Sequence, residues 1–544
     1  MSDQDDAASN ARAGGKVFDV IVIGSGFAGL YMLHRLRGLG LRARVLEQGD
    51  DVGGTWYWNR YPGARCDVES LQYSYSFSEE LEREWCWTER FATQPEILRY
   101  INYVADKFDL RKDIQFETRV EALTFQDSAG TWRVTTRGGE VFESRFVIAA
   151  TGCLSSGKEP DIKGLENFAG RTLFTGRWPK EGADLAGKRV CVIGTGSSAI
   201  QAIPEIAKAA AHLTVFQRTA NYSIPARNAP LTPERVAEWQ GNLREHRRRA
   251  REEAITGVIY KFATKGAQDA APEERRAEFE DRWRAGGAGF MHAYNDLLLN
   301  EVSNRFAADF VRERIRAIVR EPDTAARLCP DDHPIGTKRI CVDSDYFETF
   351  NRPNVDLVSL KETGGLEIVP EGVKAGGKVY PRDVLVLATG FDAITGPLLS
   401  MDVRGREGRS LRDKWKDGPK EYLGLVCAGF PNLLTITGPG SPSVISNVVV
   451  SIEQHVDFIA NLLRHMAAHG HALVDANAEA EEQWMARVAE IANATLYPKA
   501  NSWYVGANVP GKPRGFMAYI GVAGYRKVCD EIAADGFRGF EFSA

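Results

Sequence analysis

The chain has no CxxC pair: its eight cysteines (66, 86, 153, 191, 329, 341, 427 and 529) are scattered over 544 residues. That excludes a redox-active CxxC disulfide and suits a reducing, cytoplasmic setting. No apolar run approaches the roughly 20 residues of a membrane span, so no membrane partner is expected. The first 14 residues, Met1 to Gly14, lack the apolar core of a secretory signal and are read as a disordered N-terminus. Net charge is only −5, too mild to point to nucleic acid or an anionic membrane. His246-Arg247-Arg248-Arg249 is expected to be a solvated helix face. His465 and His469 are spaced to share a helix face, but without a third ligand or an HExxH pattern no metal site is expected.

What the chain does have is the dinucleotide fingerprint twice: Gly24-Ser25-Gly26-Phe27-Ala28-Gly29 and Gly194-Thr195-Gly196-Ser197-Ser198-Ala199. One GxGxxG is weak evidence, but each copy here follows an apolar β-like run, 17–23 and 189–193. Residues 27–39 and 197–210 then read as helices, the first with Leu30, Met32, Leu33 and Leu36 inward. Gly24 permits the tight turn, Gly26 a close backbone approach to a pyrophosphate, and Gly29 helix–strand packing. Glu47 ends the next strand, where an acid hydrogen-bonds a ribose, as for FAD or NAD. After the second copy, strand 213–217 ends in Arg218-Thr219 instead. A cation and a hydroxyl there suit a 2′-phosphate, so the second ligand reads as NADPH. Two such sites in one chain mean electron transfer between dinucleotides, hence an oxidoreductase.

Length implies two to four domains. Residues 145–152 and 383–390 are near copies, each an apolar strand ending in Ala-Thr-Gly. They bracket 153–390, so one nucleotide domain is expected to be inserted in the other. The expected fold is α/β, with two interleaved Rossmann-like dinucleotide-binding domains. Residues 15–152 and 391–544 would form the FAD domain, and 153–231 and 321–390 the NADP domain. A charge-rich helical insertion, 232–320, starts at Thr232-Pro233-Glu234. Its inward candidates are Trp239, Leu243, Ile255, Trp283 and Phe290.

Three further stretches carry a family resemblance. They are Gly53-Gly54-Thr55-Trp56-Tyr57-Trp58-Asn59-Arg60-Tyr61-Pro62-Gly63-Ala64-Arg65-Cys66-Asp67, Phe168-Ala169-Gly170 followed by Trp178-Pro179, and Ser502 to Pro513. The second matches most of an FxGxxxHxxxWP signature. With Pro95 to Tyr100 and Gly438 to Ser443, the chain from about Val17 to Phe540 resembles the type I Baeyer–Villiger monooxygenases, nearest the phenylacetone and steroid branch.

The resemblance implies that NADPH reduces bound FAD, and that a flavin peroxide attacks a ketone carbonyl to give an ester or lactone. It places Arg339, in Gly336-Thr337-Lys338-Arg339, beside the peroxide, with Asp67 holding it. An arginine suits because it keeps its charge at working pH. Lys338 would join Arg218 and Thr219 on the NADPH phosphate. Gly54, Thr55 and Trp56 fall in the cofactor-binding stretch, Trp503 in a segment that closes over NADP. Ser443, Val444 and Ile445 match a substrate-pocket loop whose apolar character fits aryl, cyclic or steroid-like ketones. A soluble monomer using O₂ is implied. The departure is Phe174, which stands where the signature has histidine. Two alternatives remain at this point: a flavin N- or S-oxygenase, and an uncoupled NADPH oxidase or redox-sensing flavoprotein.

Overall fold

Runs of β-branched and aliphatic residues set the framework. In the computed structural model, which describes residues 16–157 and 160–544, strand Lys16–Ile23 lies inside an eight-stranded sheet. Val20, Ile21 and Val22 are completely buried, as a parallel strand covered on both faces requires. Val17 is 56% exposed, against the expectation of burial from residue 17. Pairing with strand Val141–Ala149 includes Val17↔Glu143, but on the other side pairing with Ala43–Leu46 starts only at Val20↔Ala43, so Val17 has a strand neighbour on one side only. The expected disordered N-terminus, 1–14, lies outside the described residues.

The path across this sheet runs Asp402–Arg404, Val120–Gln126, Thr131–Thr136, Val141–Ala149, Lys16–Ile23, Ala43–Leu46, Ile114–Gln115, and Leu433–Thr435 also pairs with Val141–Ala149. A second, wholly parallel sheet runs Val355–Ser359, His212–Gln217, Arg189–Ile193, Val384–Leu387, Arg171–Phe174. The chain therefore leaves the first sheet after Ala149, builds the second, and re-enters the first at Asp402. This interleaving is what the paired Ala-Thr-Gly strands implied. Each fingerprint helix, Phe27–Gly38 and Ser197–Ala209, starts directly beyond a central strand.

The region between residues 232 and 320 is helical, with Pro233–Gly241, Leu243–Glu252, Pro272–Ala285 and Glu301–Ile318 as its main helices. Thr232 caps the first, its hydroxyl accepting from the Arg235 amide at 3.3 Å. Trp239, Leu243, Trp283 and Phe290 are buried, but Ile255 is 54% exposed. It lies beyond the helix that ends at Glu252, in a segment held by its backbone: its carbonyl accepts from Val522 at 2.8 Å. Arg247 is also a correction. It shares a helix face with Leu243 and Ala250 and is buried, paired with Glu82 (2.5 Å) and donating to Leu71 O and Ser74 Oγ. Arg248 and Arg249 are exposed, as expected. Among the described residues no helix is long and apolar enough to cross a membrane, and no His/Cys/Asp/Glu group could hold a metal.

Candidate active site

The two glycine turns converge on one space. Gly24 has φ +100°, and a Cβ there would meet the Ala150 carbonyl oxygen at 2.7 Å. Gly194 has φ +120°, and its Cβ would overlap the Ala388 carbonyl. Ala150 and Ala388 belong to the two Ala-Thr-Gly segments, so each turn lies tight against the end of a neighbouring strand. Gly29 has no room either, because a Cβ would strike the Gly24 carbonyl. Gly26 instead faces Gly54, its Cβ 3.3 Å from the Gly54 Cα, whereas Gly196 opens onto empty space. Both cradles line a single cavity of ≈ 1980 Å³, shared by Gly24, Gly26, Phe27, Ala28, Gly54, Thr55, Trp56, Gly194, Thr195, Gly196, Ser197 and Ser198. Two helix N-termini and their open amides thus face one chamber, and the residues fit two dinucleotides.

Glu47 is 4% exposed, not a solvated strand end. Its carboxylate accepts from the Ser25 amide (2.7 Å) and hydroxyl (2.9 Å) and from the Gly49 amide (2.8 Å), and it lines the cavity. At the second cradle, the Thr195 hydroxyl donates to the Thr219 carbonyl at 2.6 Å, which ties the glycine turn to Arg218-Thr219. Arg218, Thr219 and Lys338 all line the cavity, and the Arg218 charge is close enough to act on Lys338. Burial lowers the Lys338 pKa, Asp332 opposes this, and the positive charges of Arg218 and Lys361 add to the lowering. Cations that repel one another in a cavity wall are poised for an anion.

Arg339 lies where the two halves meet. Its Nε and Nη2 donate to the two Asp67 oxygens at 2.8 and 2.7 Å, a bidentate pair across 272 residues of sequence. Its Nη1 donates to the Val444 carbonyl at 2.8 Å. The side chain is 28% exposed and lines the cavity. Burial is the largest single influence and works against its charge, but Asp67, Tyr504 and Tyr260 together outweigh burial and hold the guanidinium pKa well above its ordinary value. Tyr504 packs beside it; burial raises the phenol pKa and the Arg339 charge partly offsets that.

The glycine- and aromatic-rich stretch 53–67 is the seam between the two halves. Tyr61 Oη donates to Gln201 Oε1 at 2.9 Å, and Gln201 Nε2 donates to the Arg65 carbonyl at 3.0 Å. Gly63 (φ +81°) lies against the Gln201 backbone. Trp503 lines the cavity half-buried, its ring 4.3 Å from Tyr504. The expected pocket loop divides. Val444 lines the cavity, and its carbonyl positions Arg339. Ser443 is fully buried at φ +33°, its hydroxyl 2.8 Å from the Cys153 thiol, so it braces the loop instead. Ile445 packs against the cluster of Ala492, Tyr504, Phe516 and Ala518.

Comparison with known proteins agrees with this geometry. Residues 21–274 match the family model described as pyridine nucleotide-disulphide oxidoreductase. A Baeyer–Villiger monooxygenase of Pseudooceanicola batsensis is 41% identical, over 97% of both chains. The chain belongs to the Baeyer–Villiger monooxygenases. A phenazine N-monooxygenase of Lysobacter antibioticus is 42% identical over 96% of both chains. A solved steroid monooxygenase bound to NADP is 48% identical with a TM-score of 0.93, covering 97% of this chain and 99% of its own. All eight cysteines of this Baeyer–Villiger monooxygenase are free, so its likeness to the disulphide oxidoreductases lies in dinucleotide binding, not disulphide chemistry.

Sequence reasoning missed three contributors: the Val444 carbonyl, Tyr504 and Gln201. Backbone acceptors leave no mark in a sequence, and Gln201 looks like any polar residue on an amphipathic helix.

Proposed function

We propose that this chain oxidises hydrophobic ketones to esters or lactones, with Arg339 as the charge that stabilises the reacting oxygen and Asp67 as the residue that aims it. It is an FAD- and NADPH-dependent enzyme. Bound FAD supplies the activated oxygen when NADPH has reduced it. The chain's own residues do the rest. The first cradle, with Glu47 and Gly54 to Trp56, holds FAD; the second, with Arg218, Thr219 and Lys338, holds NADPH. Residues 15–152 with 391–544, and 153–231 with 321–390, are the corresponding domains.

The observation that carries the reading is the doubly anchored Arg339 on the wall shared by both cradles. Three of its five N–H donors are taken by Asp67 and Val444. The others are available to Tyr504 and to negative charge developing on the carbonyl oxygen. A positive charge fixed beforehand spends no reorganisation energy when that charge appears. The half-buried Trp503 and the apolar side of Val444 keep water from the chamber, and water there diverts activated oxygen to H₂O₂.

Oxygenation of a soft nitrogen or sulfur is the second reading, favoured by the 42% identical phenazine N-monooxygenase. Such nucleophiles need no arginine to stabilise a carbonyl adduct, which is why the ketone reading is preferred. The test is product analysis with phenylacetone, cyclohexanone, a cyclopentanone, progesterone, an aryl sulfide and phenazine. Ester or lactone from any ketone at a yield above the N-oxide supports the reading. N-oxide with no ester overturns it. A cytoplasmic monomer is proposed, to be checked by sedimentation of the purified enzyme.

A further inference from the structure

The wall that carries Arg218, Thr219 and Lys338 also carries an acid. Asp332 lines the cavity there, with its side chain 36% exposed. Its Oδ1 is 2.6 Å from His333 Nδ1 and 3.9 Å from Lys338 Nζ. A carboxylate only accepts, so His333 Nδ1 must carry the proton. His333 is buried, 1% exposed at the side chain, and so fixes where the carboxylate points. Asp332 is ionised at neutral pH: its hydrogen bond to His333 comes first, and then, after the opposing effect of burial, the Lys338 charge.

Dinucleotide sites separate the two nicotinamide cofactors by charge. An acid accepts from the ribose 2′-hydroxyl of NADH, and an arginine meets the 2′-phosphate of NADPH. This wall holds both devices. We propose that Asp332 sets how strongly the enzyme prefers NADPH over NADH, by placing a carboxylate inside the cationic subsite that receives the adenosine 2′ position. The 2′-phosphate would carry between one and two negative charges, by analogy with other phosphate monoesters near neutrality. It must share Lys338 with Asp332, and the like charges repel. A 2′-hydroxyl meets no such repulsion and gains an acceptor. At 3.9 Å the Asp332–Lys338 contact is longer than a hydrogen bond, so Asp332 weakens the field of Lys338 without fixing its position.

The inference rests on reading Arg218, Thr219 and Lys338 as the phosphate subsite, and the experiment separates the two. Dissociation constants for NADP⁺ and NAD⁺ are measured by calorimetry on the FAD-loaded enzyme, with 2′,5′-ADP and 5′-ADP as minimal probes. Asp332→Asn keeps an acceptor for His333, and Asp332→Ala repeats the loss of charge without it. Both should bind NADP⁺ and 2′,5′-ADP about three- to tenfold more tightly, since one repulsion at a partly solvated site is worth roughly that much. NAD⁺ and 5′-ADP binding should be unchanged or weaker. The gain should shrink in 0.5 M salt as the charges are screened. Arg218→Ala is the control and should lose most of the preference for NADP⁺. If Arg218→Ala behaves so while neither Asp332 variant tightens NADP⁺, the proposal is wrong and the subsite reading stands. If Arg218→Ala leaves the preference intact, the subsite reading and this proposal fall together.

Discussion

Arg339 is held by three hydrogen bonds to two separate parts of the chain, and each partner contributes differently. Asp67 supplies charge and a planar fork that matches the guanidinium, and Val444 supplies a neutral acceptor. Removing the cation should therefore cost far more than loosening it. Arg339→Ala is expected to cut ester formation by on the order of 10²–10³-fold, while NADPH consumption continues and yields H₂O₂. Arg339→Lys should recover little, because an ammonium cannot pair bidentately with Asp67. Asp67→Asn should fall between Arg339→Ala and the parent. The measurement is ester formed per NADPH consumed; a parent-like ratio in Arg339→Ala would show that the oxygenation does not depend on this charge. Ser443 lies one residue from Val444, yet it is a brace and not a pocket wall, because its strained φ turns the hydroxyl onto Cys153.

Among elements, the two glycine turns offer independent handles. Gly194→Ala would push a methyl group into the Ala388 carbonyl at a φ that alanine rarely adopts. The purified variant is expected to keep its flavin absorbance and lose tight NADP⁺ binding, read by titration. Gly24→Ala should show the reverse order of damage, emerging from purification depleted of FAD. Phe174 ends strand Arg171–Phe174, opposite Leu387, with the Arg177 guanidinium over its ring at 5.4 Å. A phenyl ring can pack there but cannot hydrogen-bond. Phe174→His should raise the ratio of ester to H₂O₂, and a ratio that is flat or lower would remove this position from the control of coupling. The helical character of 232–320 was recognisable from its start signal and charge-rich composition, but one of its inward candidates, Ile255, falls outside the helices. Arg247 shows the opposite error, since charge in sequence concealed a buried pair with Glu82.

Across the whole molecule, two buried carboxyls in different halves should govern the pH dependence of stability. Glu421 is 1% exposed; burial pushes its pKa to about 8, against a hydrogen bond from Thr435. Burial likewise pushes Asp343 to about 7, although Ser223 donates to it. Between their unfolded values and these raised ones, the folded protein keeps protons that the unfolded chain has released. Stability must then fall as pH rises, from about pH 4.5 to 8 for Glu421 and from about pH 4 to 7 for Asp343. Burial pushes His455 to about 3 and His292 to about 4, so their opposing effect ends near pH 6.5, and from there to pH 8 the Tm of the parent should drop. Glu421→Gln should match the parent near pH 5 and exceed it at pH 8; an equal drop in both proteins would mean that Glu421 is solvated in solution.

Local features alone determined the two nucleotide cradles, their order along the chain and the kind of residue needed at each, because strand, glycine turn and helix start are neighbours in sequence. Glycine at 24 and 194, the acid at 47 and the cation at 218 are all legible within about thirty residues of their own strand. Only the tertiary structure decided that the cradles open into one chamber, that Asp67 meets Arg339 across 272 residues, that Gln201 closes the seam with Tyr61, and that Asp332 shares the wall with Lys338. The physical reason is that these contacts join segments whose spacing in the chain carries no information about their distance in space. They are chosen by how two interleaved sheets pack, and packing depends on the shape of the whole.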